Sequence, residues 1–339
     1  MNKLIYRGGF HPSKAIRLQS HSPVVFPHRL LNLLSRTNNE RRNFWHHGKH
    51  GPQADALFQD IIAREENKQG AQSDQEHMSL VVINNSDIPD RSEAINEGGP
   101  DPVPEMVRSA QIMELNHVEF AVMPCNTAHH FRPQVQKQTR VYLVDMLKAT
   151  TEKIQAQNPQ AAVGVLCTTG TYNSGIYDRY LTEDKITYFK PNTEEQENYV
   201  HSAIYGHKTG EKTPSGQDIR EKCGIKAGEL DKNAELLSKA IESLKTQGVN
   251  TVILGCTELP LVRPALEKNF PEIYFIDPME AVAERVVHIY RRADKILNST
   301  PITDTTPIKI ADIVNEDDMV TYVVEKARQA RREALLKAS

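Results

Sequence analysis

Phe120-Ala121-Val122-Met123-Pro124-Cys125-Asn126-Thr127-Ala128-His129 joins an apolar run to a cysteine and then to small polar residues. The opening residues read as a buried strand, because a short apolar run ended by a turn residue suits a strand covered on both faces. Cys125 then stands at the carboxyl end of that strand, with Asn126 and Thr127 placed to cap a helix. Val252-Ile253-Leu254-Gly255-Cys256-Thr257-Glu258-Leu259-Pro260 repeats the grammar: an apolar strand, a cysteine, a threonine. Two strand ends with one chemistry suggest two similar lobes related by approximate duplication.

Strand and helix patterns alternate around these two stretches. Lys3-Leu4-Ile5-Tyr6 followed by Gly8-Gly9 predicts a first strand and a tight glycine turn. Residues 54–66 place Ala54, Leu57, Phe58, Ile61 and Ile62 on one helical face. Apolar runs at 80–83, 141–144, 162–167, 186–189, 251–254 and 273–276 predict further strands. Residues 104–115, 146–155, 194–205, 230–246 and 279–291 predict the helices between them. This alternation is the pattern of a parallel sheet covered by helices on both faces, an α/β fold.

The expected organisation is a first strand and glycine loop of lobe 1 at 1–16, then an inserted segment at 17–50. The remainder of lobe 1 is 51–150 and lobe 2 is 151–272. A last strand and helix return to lobe 1 at 273–294, and 295–339 is a linker and helical tail. Val320, Val323, Val324 and Ala327 share one side of that tail, suited to packing on the body or on a partner subunit.

The net charge of −3 gives no electrostatic case for nucleic acid, and 39% hydrophobic with 25% charged residues places the chain among soluble globular proteins. No apolar run is long enough for a membrane span, and residues 1–9 lack a secretory core, so a cytoplasmic location is expected. Cys125, Cys167, Cys223 and Cys256 have no close pairing and read as reduced thiols. A metal site at His21, His28, His46, His47 and His50 is poorly supported, since the adjacent pair points apart in regular structure.

Ligands of open parallel α/β sheets sit outside the carboxyl ends of the strands, where Cys125 and Cys256 both fall. Facing lobes would make the two thiols bracket one cleft. Paired thiols suit one reaction in particular: a proton leaves one face of a carbon and another arrives on the opposite face. One sulfur must then be a thiolate, which needs a free-thiol pKa near ~8.5 to be lowered by amides or cations. Arg91, in the loop after the strand at 80–83, could grip a carboxylate with its fork of donors. Cys167 and Cys223 read as small packing residues.

At this point the residues resemble a known family. Met123-Pro124-Cys125-Asn126-Thr127-Ala128-His129 and Gly255-Cys256-Thr257-Glu258 look like the two signatures of the cofactor-independent aspartate/glutamate racemase superfamily. Ile88-Pro89-Asp90-Arg91-Ser92, Thr168-Thr169-Gly170-Thr171, Ile225-Lys226-Ala227-Gly228 and Ile276-Asp277-Pro278-Met279 fit its aspartate racemase branch. The resemblance covers about 50–292, plus Gly8-Gly9-Phe10-His11-Pro12.

It implies two Rossmann-like lobes with a cleft between them, no cofactor, no metal, and a homodimer. Cys125 and Cys256 would be the acid and base. Arg91 and Lys226 would engage carboxylates of a small acidic amino acid. Asn126, Thr127, Thr169, Thr257, Glu258, Gly9 and Phe10 would complete the substrate site. The glycine loop matches at 8–12, with Gly48-Lys49-His50-Gly51-Pro52 as the other candidate. The implied activity is interconversion of L- and D-aspartate, or of glutamate. The competing readings are another amino-acid racemase or dicarboxylate isomerase of the superfamily, and a binding protein that has lost turnover.

Overall fold

A computed structural model describes residues 43–48, 52–214, 216–299 and 308–338. Lobe 1 holds β1 (Asn43–Gly48), β2 (Ser79–Asn84), β3 (Phe120–Val122) and β4 (Tyr142–Val144), parallel and in the order β2-β1-β3-β4. Lobe 2 holds β5 (Ala162–Cys167), β6 (Thr187–Phe189), β9 (Thr251–Gly255) and β10 (Tyr274–Ile276), parallel and in the order β6-β5-β9-β10. Counted along the chain within each lobe, both sheets run second, first, third, fourth. The duplication expected from the two cysteine stretches is therefore a duplication of topology. Cys125 follows the third strand of one sheet and Cys256 the third strand of the other.

Each sheet is buried on both faces, which is why its central strands are apolar without alternation. Val163, Val165, Leu166, Val252, Ile253 and Leu254 are all fully buried. In lobe 1 the helix Pro52–Lys68 lays Phe58, Ile61 and Ile62 on one face of the sheet, and the helix Val103–Leu115 lays Met106, Ala110 and Met113 on the other. In lobe 2 the helix Asp231–Thr246 covers one face with Leu237, Ile241 and Leu244. The helix Met146–Gln157 belongs to both lobes. Its Met146 and Ala149 join the lobe 1 core, while Leu147 and Ile154 join a lobe 2 core.

Three expectations need correction. The strand between β2 and β3 is Asn43–Gly48, inside the 17–50 stretch set aside as an insertion. Its sequence, Asn-Phe-Trp-His-His-Gly, is too polar to be found by an apolar count. The helix Pro52–Lys68 follows it closely, so Gly48-Lys49-His50-Gly51-Pro52 joins β1 to that helix. Lys3 to Tyr6 and Gly8 to Pro12 lie outside the described residues.

The last strand does not return to lobe 1 either. β10 stays beside β9, paired Tyr274 to Thr251, because the short helix Arg263–Asn269 carries the chain back over one neighbour only. The helix Pro278–Ser299 alone crosses over, placing Val282, Val286 and Ile289 in the lobe 1 core. The third correction is a hairpin, β7 (Lys208–Lys212) with β8 (Asp218–Arg220), where the sequence showed only a polar stretch. The tail forms the helix Glu316–Ala338 and packs on the body: Met319, Val320, Val323, Val324 and Ala327 join the lobe 1 core. Among the described residues no helix is long and apolar enough to cross a membrane.

The lobes meet where the helix Thr169–Ser174 touches the helix Arg91–Asn96. Gly170 makes this possible: a Cβ there would stand 2.6 Å from Ser92 Cα and 2.9 Å from Ser92 Cβ. Gly170→Ala must push the lobes apart locally, and overpacking of this kind costs about 1–3 kcal/mol. Urea unfolding is expected to show that loss; an unchanged midpoint would mean the helices do not touch this way in solution.

Candidate active site

The Cys125 side is built from the end of β3. After Val122 the chain turns tightly, with the Cys125 N–H donating to Met123 O at 2.7 Å, and enters a short 3-10 turn, Thr127–His130. This aims the thiol back over the strand end, where the Ala128 amide meets it. Burial raises the Cys125 pKa and the Glu258 carboxylate adds to the rise; Arg91, the Ala128 amide and Lys226 lessen it, leaving the thiol above its ordinary range. Arg91 opens the helix Arg91–Asn96, whose N-cap is Asp90: its carboxylate accepts from the N–H groups of Ser92 (2.7 Å) and Glu93 (3.0 Å). Burial works against the Arg91 charge, but Cys125, Asp90 and Tyr205 hold the guanidinium above its ordinary range.

The Cys256 side ends β9. Gly255 is needed there because a Cβ would lie 2.8 Å from Leu166 O on the neighbouring strand. Cys256 Sγ donates to Glu258 Oε2 at 3.0 Å, and Glu258 Oε1 pairs with Lys226. Burial and the Glu258 carboxylate both push the Cys256 thiol well up, with Lys226 pulling the other way. Burial also disfavours the Lys226 ammonium, but Glu258 overrides it and holds that charge. The two thiols are thus matched in burial and opposed in charge partner: a cation beside Cys125, a carboxylate beside Cys256.

Both thiols line one cavity between the lobes, together with Arg91, Asn126, Thr127, Lys226, Thr257 and Glu258. Ser92, Thr168 and Tyr205 line it as well. Its volume is about 10 Å³, space for one water, so the lobes must part to admit anything larger. Among the described residues, two buried donors there have no hydrogen-bond partner: Arg91 Nε and Asn126 Nδ2. Asn126 is oriented from the other lobe, since Tyr177 OH donates to its Oδ1 at 2.6 Å and leaves the NH₂ group for the cavity. Orphaned buried donors cost about 1–3 kcal/mol each, and in a cleft they fit an anionic ligand.

The Asp/Glu/Hydantoin racemase profile matches residues 61–286. The chain belongs to the Asp/Glu/hydantoin racemase family. It is 30% identical to an uncharacterized protein of the pnlA 3′ region of Pectobacterium carotovorum subsp. carotovorum, over 46% of this chain and 90% of that protein. It is 28% identical to a glutamate racemase of Carboxydothermus hydrogenoformans, over 50% of this chain and 55% of that enzyme. Its fold is similar to that of Picrophilus torridus aspartate racemase, with a TM-score of 0.57 and 22% identity, over 83% of this chain and 99% of that one.

Eight of the expected residues come together in this cavity: Cys125, Cys256, Arg91, Asn126, Thr127, Lys226, Thr257 and Glu258. Thr169 does not line the cavity: its N–H donates to His201 Nδ1 at 3.0 Å, and Thr168 takes the lining position. Gly9 and Phe10 lie outside the described residues. Thr168 and Ser92 were one residue from positions already singled out, Thr169 and Arg91. Tyr205 carried no sequence signal. It ends the helix Ser202–Tyr205, donates to Asp90 Oδ2 at 3.0 Å across the lobes, and has Lys226 Nζ 5.2 Å from its ring centre.

The charge asymmetry has a measurable sign. A nearby cation favours a thiolate and a nearby carboxylate opposes it. Alkylation by iodoacetamide, mapped by mass spectrometry across a pH series, is expected to modify Cys125 at lower pH than Cys256. Glu258→Gln removes the opposing charge and is expected to move the Cys256 midpoint down. Cys256 reacting first in the unaltered protein would contradict the asymmetry. Cys167, pushed up to about 12 by burial, is expected to stay unmodified.

Proposed function

We propose that the protein interconverts the enantiomers of an acidic amino acid, aspartate first and glutamate second, by two-base proton transfer between Cys125 and Cys256. The observation that carries this is the pair of buried thiols in one inter-lobe cleft, each with a charge partner of opposite sign. Cys125, in the thiolate form that Arg91 favours, takes the α-proton. The electron pair left on the α-carbon delocalises into the carboxylate. Cys256, kept a thiol by Glu258, delivers its proton to the opposite face. The reverse reaction exchanges the two roles, and the protonation states reset by exchange with water. All of these steps use the chain's own side chains.

The remaining groups suit the substrate. Arg91 Nε and Asn126 Nδ2 are donors in want of a carboxylate. Oriented donors aimed at developing charge are the strongest general source of transition-state stabilisation. Glu258 offers an anion to an α-ammonium group beside Cys256, with Lys226 held alongside. A cleft that carries its own carboxylate fits an amino acid better than a dicarboxylate lacking the amine. That favours amino-acid racemisation over dicarboxylate isomerisation.

Incubation with L-aspartate in deuterated water, followed by proton NMR and chiral separation, is the direct test. Exchange of the α-proton with appearance of D-aspartate is expected, and no exchange with either aspartate or glutamate would reject the reading. Cys125→Ser and Cys256→Ser are each expected to lower racemisation roughly 10²–10⁴-fold, the range that positioned acid–base groups contribute. Retained racemisation in both variants would reject the two-thiol mechanism.

A further inference from the structure

His129 closes the cysteine stretch yet does not line the cavity. It is 2% exposed and makes two hydrogen bonds that leave its ring no choice of tautomer. Met146 N–H donates to Nε2 at 3.1 Å, so Nε2 carries no proton. Nδ1 then carries it and donates to the backbone carbonyl of Cys125 at 2.8 Å. Burial holds the ring in its neutral form against the pull of Asp145.

The far side of this link is firmly held. Met146 begins the helix Met146–Gln157, which packs into both lobes. Asp145, the N-cap of that helix, accepts from the Lys148 N–H at 3.1 Å and from Tyr180 OH at 2.5 Å, and pairs with Arg132 at 3.2 Å. Arg132 Nε donates to Leu143 O at 2.8 Å, tying the pair to β4. The near side is a tight turn with little structure of its own.

We infer that His129 is a positioning residue for Cys125, a rigid strut that fixes the Cys125 peptide against the helix shared by the two lobes. Fixing the carbonyl outward turns the thiol and the Asn126 side chain toward the cleft. It also ties the thiol's place to the element on which both lobes pack. A proton transfer between sulfur and an α-carbon depends on this placement, since errors of about 1 Å can cost on the order of 10²-fold. The role of Cys125 in this inference rests on the racemase reading.

Two substitutions separate the bonds. In His129→Asn the side-chain NH₂ stands where Nδ1–H stood and keeps the donor to Cys125, but the acceptor for Met146 is lost. In His129→Gln the amide oxygen reaches the Nε2 position and keeps the acceptor, but the donor to Cys125 is lost. Each variant gives up one buried bond, so their thermal midpoints are expected to fall together.

Their other readouts are expected to part. The Asn variant should keep kcat within about fivefold, the worth of one ordinary hydrogen bond. The Gln variant should lose roughly 10²-fold in kcat with KM little changed. The pH midpoint for alkylation of Cys125 should stay in place with Asn and rise with Gln, as the thiol slips from Arg91 and the Ala128 amide. Lys226 and Glu258, the other charged groups acting on Cys125, are the same in both. The strut is refuted if Asn and Gln behave alike, if Gln retains the midpoint, or if the kcat loss follows thermal stability. The alkylation arm needs no substrate. A protein that fails to exchange the α-proton would reject the racemase reading, while the midpoint comparison would still decide the role of His129.

Discussion

Desolvation of two thiols sets the problem that the rest of the cleft answers. Burial alone raises both Cys125 and Cys256, which would leave two neutral groups with no base between them. The cleft breaks this equivalence with fixed charges. Arg91 is the strongest charge acting on Cys125 and Glu258 the strongest acting on Cys256, and neither charge stands alone. Arg91 is held charged by Asp90 as well as Cys125, and Glu258 is paired with Lys226. Asp90 is held below the usual carboxylate range, since Arg91, the Glu93 amide, Tyr205 and Lys226 outweigh the effect of burial. The result is a buried polar network in which each charge is compensated, the condition for keeping charges out of water at tolerable cost.

That network exists only because two copies of one topology present the same strand end to each other. The third strand of each sheet is followed by a thiol, a threonine-containing turn and a short helix. The copies have diverged in what flanks the thiol. Lobe 1 supplies Arg91 and Asn126, while lobe 2 supplies Glu258, Lys226 and Tyr205. Several contacts then cross between them: Tyr177 to Asn126, Tyr205 to Asp90, and Thr127 to Thr168 and Thr171 at 3.0 and 2.8 Å. Orientation within one lobe is therefore set partly by the other.

The sequence made the sheets legible where strands are apolar runs, and the cysteine pair legible because it is repeated. It failed where those signals fail. β1 carries Asn43, His46, His47 and Gly48, so an apolar count does not find it. The lobe assignment of β10 depends on how far a connecting helix carries the chain, which is a matter of packing rather than composition. Thr168 and Thr169 were indistinguishable in sequence. The side chain of Thr168 caps its helix, accepting from Thr171 N–H at 3.3 Å, and that bond keeps it facing the cavity. Tyr205 acts through a cross-lobe bond, and no local pattern announces such a bond.

The closed cavity bears on how the cleft works. At about 10 Å³ it has space for one water, so anything larger requires separation of the lobes. The contacts that would break are polar: Ser92 to Thr168 at 3.3 Å, Tyr205 to Asp90 at 3.0 Å, Gln217 to Glu93 at 2.9 Å and Asn173 to Asn96 at 2.9 Å. Each exchanges a protein partner for water at a net cost of only about 0.5–1.5 kcal/mol. The apolar contacts that both lobes share are concentrated on the helix Met146–Gln157. An interface that is polar at the cleft and apolar along one helix opens most cheaply about that helix. The anchor of Cys125 sits at its first residue, Met146, so the thiol is tied to the element on which both lobes pack.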